Sequence, residues 1–286
     1  MNIAIINHGV SNHFVCLGVL LDLLKGDNIT VYTLNDPNDW LTYYRTLYSF
    51  TVIYNTDIIV SKYDKLIKLT SNDNCLINNE TISFVHVMSN LCINNSSSRY
   101  ISCTPYISGD NISYILPIFR PNIKRYETKT VLLIGYYLQS SIDEDTENFI
   151  KNNNEYTFIF ITWGDSSYKK LTDHSNVRVL HDVKTPTMFQ LIAECKFMLS
   201  KKYINYHIYS GQLGLAVSFE KPIIIDSKTA GVYKIPGIVF NENYTDIGKL
   251  DDVTEEAYER HIEDLRLFKN EVSENNRDTM KRLIPS

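Results

Sequence analysis

The segment 203–226, with the sequence YINYHIYSGQLGLAVSFEKPIIID, carries the residues best placed to do chemistry. Ser210 is suited to cap a helix that begins at Gly211, and the glycine would let a ligand approach the backbone of the first turn. A helix start presents unpaired N–H groups and the positive end of the helix dipole, and both suit a phosphate. The segment therefore predicts an anion-binding turn, then a helix, then a short strand that ends at Asp226.

Strand-like and helix-like patterns alternate on the amino-terminal side of this segment. Short apolar runs at 2–7 and 29–33 alternate with helical spacing at 13–25 and 39–48. Such an alternation favours a parallel sheet in an α/β fold. Between these elements and residue 116 we predict only short strands, at 51–54, 58–60, 66–69, 82–87, 100–102 and 114–116.

The alternation starts again after Pro117 and Pro121, which favour an extended connection. We predict strands at 130–138, 156–162, 176–180, 197–200, 223–226 and 237–240. We predict helices at 144–151, 187–195 and 211–219. Thr254 could cap a long final helix whose first turn carries Glu255 and Glu256, which suit its positive end.

The composition argues against several classes of protein. The chain has 286 residues and a formal net charge of −5, so it lacks the broad basic surface that non-specific nucleic-acid binding needs. Its five cysteines include no CxxC pair, which indicates reduced, mostly buried thiols in a cytosolic setting. We expect no signal peptide and no membrane span, and a location in the cytoplasm, or in the host cytoplasm if the chain is viral.

The segment 203–226 resembles the donor-site segment of GT-B glycosyltransferases. In that family a serine- or glycine-rich turn opens a helix, and a G/E-K-P-hydrophobic strand follows; here these are Ser210-Gly211 and Glu220-Lys221-Pro222. The resemblance implies an α/β fold with two Rossmann-like domains that face a cleft, and a C-terminal helix. The implied acceptor-binding domain is 1–118, the implied nucleotide-sugar-binding domain is 119–253, and 254–286 forms the helix that packs across them.

The resemblance also implies a nucleotide-sugar donor, with its diphosphate at the turn and its base near 181–183. In open α/β sheets ligands sit beyond the carboxyl ends of the strands. The candidate donor contacts are Gly135, Trp163, Gly164, His181, Asp182, Val183, Lys202, Tyr209, Ser210, Gly211 and Gln212. Lys201, Lys202 or Arg120 could neutralise the leaving diphosphate.

The resemblance favours inverting chemistry. The Glu-x7-Glu of many retaining GT-B enzymes is missing, because no glutamate lies between Ser210 and Glu220. Inversion needs a general base for the acceptor hydroxyl, and in several inverting GT-B families this is a histidine near the start of the first helix. His13 is preferred because the helix dipole would keep it neutral. His8 is the second candidate, and an aspartate such as Asp73 or Asp110 remains open.

We expect no metal and no cofactor. Asp143-Glu144-Asp145 has the form of the metal-binding DxD motif, but it opens a predicted helix, where acidic residues are favourable in any case. GxGxxG, GxxxxGK[ST], GxSxG and HExxH motifs are missing from the sequence.

The sequence thus predicts an inverting, metal-independent glycosyltransferase that acts on a hydroxyl of a glycan or glycoprotein. Two alternatives remain open: a nucleotide-sugar epimerase or polysaccharide pyruvyltransferase of similar fold, and an inactive relative that binds glycans. The 20 tyrosines support the second alternative, because aromatic faces stack on sugars.

Overall fold

The computed structural model describes residues 1–7, 14–55, 57–69, 81–85, 99–105, 109–123, 127–135, 143–162, 173–200 and 211–285. The chain divides into two compact units. The first consists of Met1–Arg120, Asn205–Gly214 and Asn270–Ser286. The second consists of Pro121–Ile204 and Leu215–Lys269.

The described strands of the first unit form one parallel sheet. They are β1 (Asn2–Asn7), β2 (Asn28–Thr33), β3 (Thr51–Tyr54), β4 (Lys65–Lys68), β5 (Thr81–Val85), β6 (Arg99–Ser102) and β7 (Ile112–Tyr114). Their order in the sheet is β3-β2-β1-β4-β5-β6-β7. Helix α1 (Phe14–Leu23) connects β1 to β2, and the short helix α2 (Trp40–Tyr44) lies between β2 and β3.

The described strands of the second unit also form one parallel sheet. They are β8 (Thr128–Ile134), β9 (Thr157–Thr162), β10 (Val177–His181), β11 (Cys195–Leu199), β12 (Ile223–Asp226) and β13 (Ile238–Phe240), in the order β10-β9-β8-β11-β12-β13. The remaining helices are α3 (Glu144–Asn152), α4 (Thr185–Glu194), α5 (Gly211–Phe219), α6 (Ser227–Tyr233) and the final helix α7 (Glu255–Leu283). The first residues of α5, up to Gly214, and the part of α7 that begins at Asn270 belong to the first unit. Within the described ranges, none of the helices has the length and apolarity that crossing a membrane would require.

Both sheets have the strand order of doubly wound α/β folds. The order reverses between β1 and β4 in the first sheet and between β8 and β11 in the second. In such sheets ligands bind outside the carboxyl ends of the strands, at the point where the order reverses. The topology therefore marks one edge of each sheet as the place to look for a site.

The predicted α/β class with two parallel sheets and a C-terminal helix is confirmed. The helix 211–219 and the strand 223–226 have the predicted bounds. The predicted strand at 58–60 is wrong, because Val60–Lys62 is a 3₁₀ turn. The apolar side chains of Ile58 and Val60 do not pair in the sheet but pack against the face that carries Ala4. The sequence analysis also missed α6, whose first turn is capped by Asp226.

A close contact between α1 and α2 fixes the first crossover of the first unit. Tyr44 is fully buried, and its hydroxyl donates a 2.8 Å hydrogen bond to the carbonyl of Phe14. Gly18 faces this ring so closely that an added Cβ would lie 2.8 Å from the Cζ of Tyr44. Gly18 is therefore required by the packing of the tyrosine ring, whereas Gly231 in α6 has open space around its Cα.

We expect Gly18→Ala to lower the free energy of unfolding by about 1–3 kcal/mol, because the new methyl group overpacks a buried site. Gly231→Ala is the matched control, since it also replaces a helical glycine. It should raise stability by about 0.5–1 kcal/mol, because alanine is the better helix former. Denaturant unfolding of both variants checks the pair, and equal effects of the two substitutions would contradict the packing argument.

The Glu220-Lys221-Pro222 motif holds the end of α5 and the start of β12. Glu220 ends the helix in the left-handed region, with φ of +54°, and its carboxylate accepts a 2.9 Å hydrogen bond from Lys269 of α7. The same Lys269 Nζ donates to the carbonyl of Ser218, in the last turn of α5. Lys221 is fully buried, and its Nζ donates a 2.8 Å hydrogen bond to the carbonyl of Cys195 at the start of β11. The motif thus ties α5 to both α7 and the neighbouring strand.

Glu220 makes stability depend on acid pH. Burial acts to raise the pKa of Glu220, but the hydrogen bond and charge of Lys269, with the charge of Arg266, outweigh it and lower this pKa below its ordinary value of 4.5. The ionised carboxylate therefore contributes stability fully above that ordinary value. The contribution is lost as the pH falls through the lowered folded-state pKa.

We expect Glu220→Gln to cost about 1 kcal/mol of unfolding free energy at neutral pH, because a partly buried ion pair is lost. The difference from the wild type should vanish in acid, where the wild-type glutamate is protonated. Glu263→Gln is the control, since Glu263 pairs with the same Arg266 on an exposed face of α7. Urea unfolding measured across the acid range checks the prediction, and a pH-independent difference would refute it.

Candidate functional site

The carboxyl edge of the second sheet gathers polar residues from neighbouring strands. Because all of its strands are parallel, their carboxyl ends lie on the same side. In spatial order the residues at the strand ends are His181 (β10), Thr162 (β9), Gly135 (β8), Ser200 (β11) and Asp226 (β12). This edge includes the reversal point between β8 and β11.

Hydrogen bonds join the ends of β8, β9 and β10. The amide of Gly135 donates to the carbonyl of Ile161, and the amide of Asp182 donates to that of Thr162, both at 3.0 Å. Asp182 has φ of +48°, a left-handed conformation that aspartate tolerates better than most residues. His181 and Asp182 are exposed, and Val183 leads from them towards α4. The structure therefore brings the predicted residues Gly135, His181, Asp182 and Val183 to one edge.

Helix α5 follows β11 in the chain, and its first residues, Gly211–Gly214, belong to the first unit. Gly211 is its first residue, and Gln212 in the first turn is only 4% exposed. The N–H groups of a first turn have no intrahelical acceptors, and the helix dipole adds positive charge there. This end of α5 can hold an anionic group.

Asp226 offers a buried acceptor at the carboxyl edge of the second sheet. It ends β12, is 9% exposed, and caps α6 by accepting a 2.9 Å hydrogen bond from the amide of Thr229 through Oδ1. Its other oxygen, Oδ2, has no hydrogen-bond partner among the described residues, and neither has Oγ1 of Thr229. A buried carboxylate oxygen without a donor is costly, so this oxygen is suited to accept a hydrogen bond from a ligand.

The sequence analysis placed Asp226 at the end of a strand but gave it no role. The available signal was an acidic residue that ends an apolar strand directly before Ser227, a residue that can begin a helix. The missed helix α6 explains the oversight, because only the helix shows that one carboxylate oxygen is used as a cap and the other is left over.

Tyr244 packs in the core and contacts the end of β11. Its hydroxyl donates a 3.4 Å hydrogen bond to the carbonyl of Ser200, and its ring centroid lies 4.9 Å from that of Phe149 and 4.6 Å from that of Phe240. Burial, and then the charges of nearby carboxylates including Asp226, raise the pKa of Tyr244 well above its usual range. The hydroxyl therefore stays protonated and keeps its role as a donor to the end of β11.

The DxD-like triplet serves the start of α3. Oδ1 of Asp143 accepts hydrogen bonds from the amide and the hydroxyl of Thr146, which makes it the helix cap. Asp145 accepts a 3.1 Å hydrogen bond from the amide of Tyr244. In the part of the chain that the structure describes, no three His, Cys, Asp or Glu side chains cluster as a metal site would need.

Polar residues also end the central strands of the first sheet. Asn7 ends β1 and is 1% exposed, and Thr33, its partner in β2, is equally buried. Lys68 ends β4 and is 3% exposed. Asp110, by contrast, is exposed and precedes β7, so it lies at the amino edge of the sheet. This position argues against Asp110 as a catalytic base.

Arg120 does not lie at a carboxyl edge either. It lines a cavity of about 540 Å³ in the first unit, together with Asp22, Lys25, Tyr48 and the amino ends of β2 and β3. The sequence analysis considered Arg120 as a cation for the leaving diphosphate. Its place at the amino edge of the first sheet speaks against that role.

Several predicted residues lie outside the described residues and stay predictions. They include all three candidates named first for the catalytic base and much of the anion-binding turn with its approach. They are His8, His13, Asp73, Trp163, Gly164, Lys201, Lys202, Tyr209 and Ser210.

The sequence matches no protein-family model and no curated protein. The structure, in contrast, is similar to solved glycosyltransferases over its whole length. HepE of Anabaena, solved with UDP and glucose, has a TM-score of 0.67 at 12% identity, with 99% of each chain covered. AviGT4, a glycosyltransferase of avilamycin A biosynthesis, has a TM-score of 0.62 at 12% identity, with 100% of this chain and 99% of that chain covered. A mutant of T4 phage BGT with UDP-glucose has a TM-score of 0.59 at 13% identity, with 100% of each chain covered. This chain therefore has the GT-B fold of nucleotide-sugar glycosyltransferases.

Proposed function

We propose that this protein is a glycosyltransferase that moves a sugar from a nucleotide-sugar donor to a hydroxyl group of a glycan or glycoprotein. The observation that carries the proposal is the buried, unpaired oxygen of Asp226 at the carboxyl edge of the second sheet. The first turn of α5 is a second element that suits a donor, because it can hold an anionic group. Similar structures support it, because HepE was solved with UDP and glucose and T4 phage BGT with UDP-glucose.

The first turn of α5 and Asp226 suit two different parts of a donor. The first turn of α5 supplies N–H groups and positive dipole charge for a diphosphate. Oδ2 of Asp226 is an acceptor, and a sugar hydroxyl is the donor that would satisfy it. His181 and Asp182, which are exposed at the end of β10, are the proposed contacts for the nucleoside.

We propose an inverting reaction. A general base takes the proton of the acceptor hydroxyl while its oxygen attacks the anomeric carbon, and the bond from that carbon to the diphosphate breaks. His13 is our first choice for the base, with His8 and Asp73 as alternatives. The leaving diphosphate gains negative charge, which the start of α5 and the cations Lys201 and Lys202 would stabilise without a metal.

A thermal-shift screen against UDP-, GDP-, CMP- and dTDP-sugars and the free nucleotides tests the proposed donor. We expect one nucleotide class to raise the Tm, because a ligand that binds only the folded state stabilises it. The increase should persist in EDTA if the diphosphate is held by the helix start and side chains. An increase that disappears in EDTA would contradict the metal-independent reaction, and no response to any nucleotide would contradict the proposed function itself.

Asp226→Asn tests the sugar contact separately. Asparagine keeps Oδ1 as the cap of α6 but replaces the acceptor Oδ2 by a donor, so we expect about ten- to hundredfold weaker binding of the nucleotide-sugar. Binding of the free nucleotide should be unchanged, because the nucleotide lacks the hydroxyls in question. Calorimetric titration with both ligands checks the difference.

Asp251→Asn is the matched control for Asp226→Asn. Asp251 is a carboxylate of the same unit, but it pairs with Lys129 near the start of β8, at the opposite edge of the sheet. The Asp251→Asn variant should bind the nucleotide-sugar and the free nucleotide as tightly as the wild type does. If the two variants bind the nucleotide-sugar equally, Asp226 does not contact the sugar.

A further inference from the structure

Asn7 is a buried side chain whose hydrogen-bonding groups are unused. It is 1% exposed, and among the described residues neither its Oδ1 nor its Nδ2 has a hydrogen-bond partner. The side chain offers two donors and one acceptor, and buried polar groups are nearly always paired. Such a group reduces stability unless something outside the free protein satisfies it.

Polar groups on the two neighbouring strands make hydrogen bonds to other residues. Thr33, the partner of Asn7 in β2, donates its hydroxyl to the carbonyl of Asn35 at 2.9 Å. On the other side, the amide of Leu69 donates to the carbonyl of Ile6, also at 2.9 Å. Asn7 shares one face of β1 with Ile3 and Ile5, which are fully buried and apolar. The amide therefore lies in surroundings that do not pair with it.

The position of Asn7 coincides with a place where ligands bind. It is the last residue of β1, and the strand order of the first sheet reverses between β1 and β4. Ligands of open α/β sheets sit outside the carboxyl ends at this reversal. The unused amide and the topology therefore point to the same spot, although they are independent observations.

The chemistry of an amide limits what could bind there. A phosphate or carboxylate could accept from Nδ2 but would leave Oδ1 without a donor. Hydroxyl groups both donate and accept, so two neighbouring hydroxyls satisfy both ends of the amide. Adjacent hydroxyls in a fixed geometry are what a carbohydrate ring carries.

We propose that Asn7 binds two hydroxyl groups of a carbohydrate at the carboxyl edge of the first sheet. This inference rests on the proposed function in one respect, since a glycosyltransferase would use that carbohydrate as its acceptor. Asn7 is then a positioning residue that sets which hydroxyl is presented for transfer.

The first experiment compares two buried asparagines in the free protein. Asn7→Leu replaces an unpaired amide by an apolar group of similar shape, and we expect the Tm to rise by about 2–4 °C. Asn153 is the matched control, because it is fully buried but donates to the carbonyl of Phe149 and accepts from the amide of Leu250. Asn153→Leu should lower the Tm. A decrease in both leucine variants, together with equal losses in the two alanine variants described next, would overturn the proposal, since Asn7 would then have internal partners.

A second variant covers the case in which leucine does not fit. Asn7→Ala removes the amide without adding volume, so its Tm should stay within a few degrees of the wild type. The Tm of Asn153→Ala should fall clearly below that of the wild type. Equal losses in the two alanine variants would overturn the proposal in the same way.

The second experiment measures sugar binding without nucleotide and without turnover. Saturation-transfer difference NMR with D-glucose, D-galactose, D-mannose and N-acetyl-D-glucosamine, each at millimolar concentration, is recorded on the wild type and the variants. We expect a response to at least one sugar in the wild type and in Asn153→Leu below its Tm. In Asn7→Leu the same response should be at least tenfold weaker. An unchanged response in Asn7→Leu, or no response to any of these sugars in the wild type, would overturn the proposal.

The two proposals can fail separately. Asn7→Leu should keep the thermal response to the nucleotide class that stabilises the wild type, because Asn7 lies in the first sheet and the donor edge in the second. If the wild type binds a sugar in the NMR experiment but no nucleotide raises its Tm, the proposed glycosyltransferase function is refuted and the proposed sugar site at Asn7 is retained. If a nucleotide raises the Tm of the wild type while Asn7→Leu binds sugar like the wild type, the sugar site at Asn7 is refuted and the proposed function is retained.

Discussion

Parallel hydrogen bonding between neighbouring strands is the constraint on which the rest of this structure depends. In both sheets every described pair of neighbouring strands is parallel, so all carboxyl ends in a sheet lie at one edge. Each connection must return to the opposite edge before the next strand begins, and a connecting helix therefore starts where its strand ends. Asn7 and Asp226 lie at the carboxyl edges of their sheets for this reason alone.

Some buried polar groups of the described residues join separate elements, and others, including two at these edges, have no hydrogen-bond partner. Asn153 and Lys221 are fully buried, and each makes hydrogen bonds that join separate elements. Asn7 and Oδ2 of Asp226 are also buried, yet among the described residues they have no partners. Stability that a protein gives up at particular points is typical of sites where a ligand supplies the missing contact.

The sequence predicted the fold class and part of the candidate site, and the reasons are physical. The helix 211–219 and the strand 223–226 were predicted with their bounds because a glycine, an apolar stretch and a proline delimit them locally. The stretch 58–60 is wrongly predicted as a strand, since an apolar run looks the same whether it pairs in a sheet or packs upon one. Asn7 and Asp226 could not be ranked, because an unused hydrogen bond is a property of three-dimensional neighbours and not of residue type.

The Glu220-Lys221-Pro222 motif shows how a sequence resemblance can be right for a reason other than the one it suggests. The motif pointed to a donor-binding segment, but its described contacts are with Lys269, Ser218 and Cys195, all within the protein. In the proposed function its effect on the donor is indirect: it fixes the C-terminal end of the nine-residue helix α5, whose first turn is proposed to hold the diphosphate. Since a helix is rigid along its axis, an anchor at one end determines where the N–H groups at the other end lie. Preorganised donors of this kind need no reorganisation when charge develops on a leaving group, which makes the anchor part of the proposed chemistry.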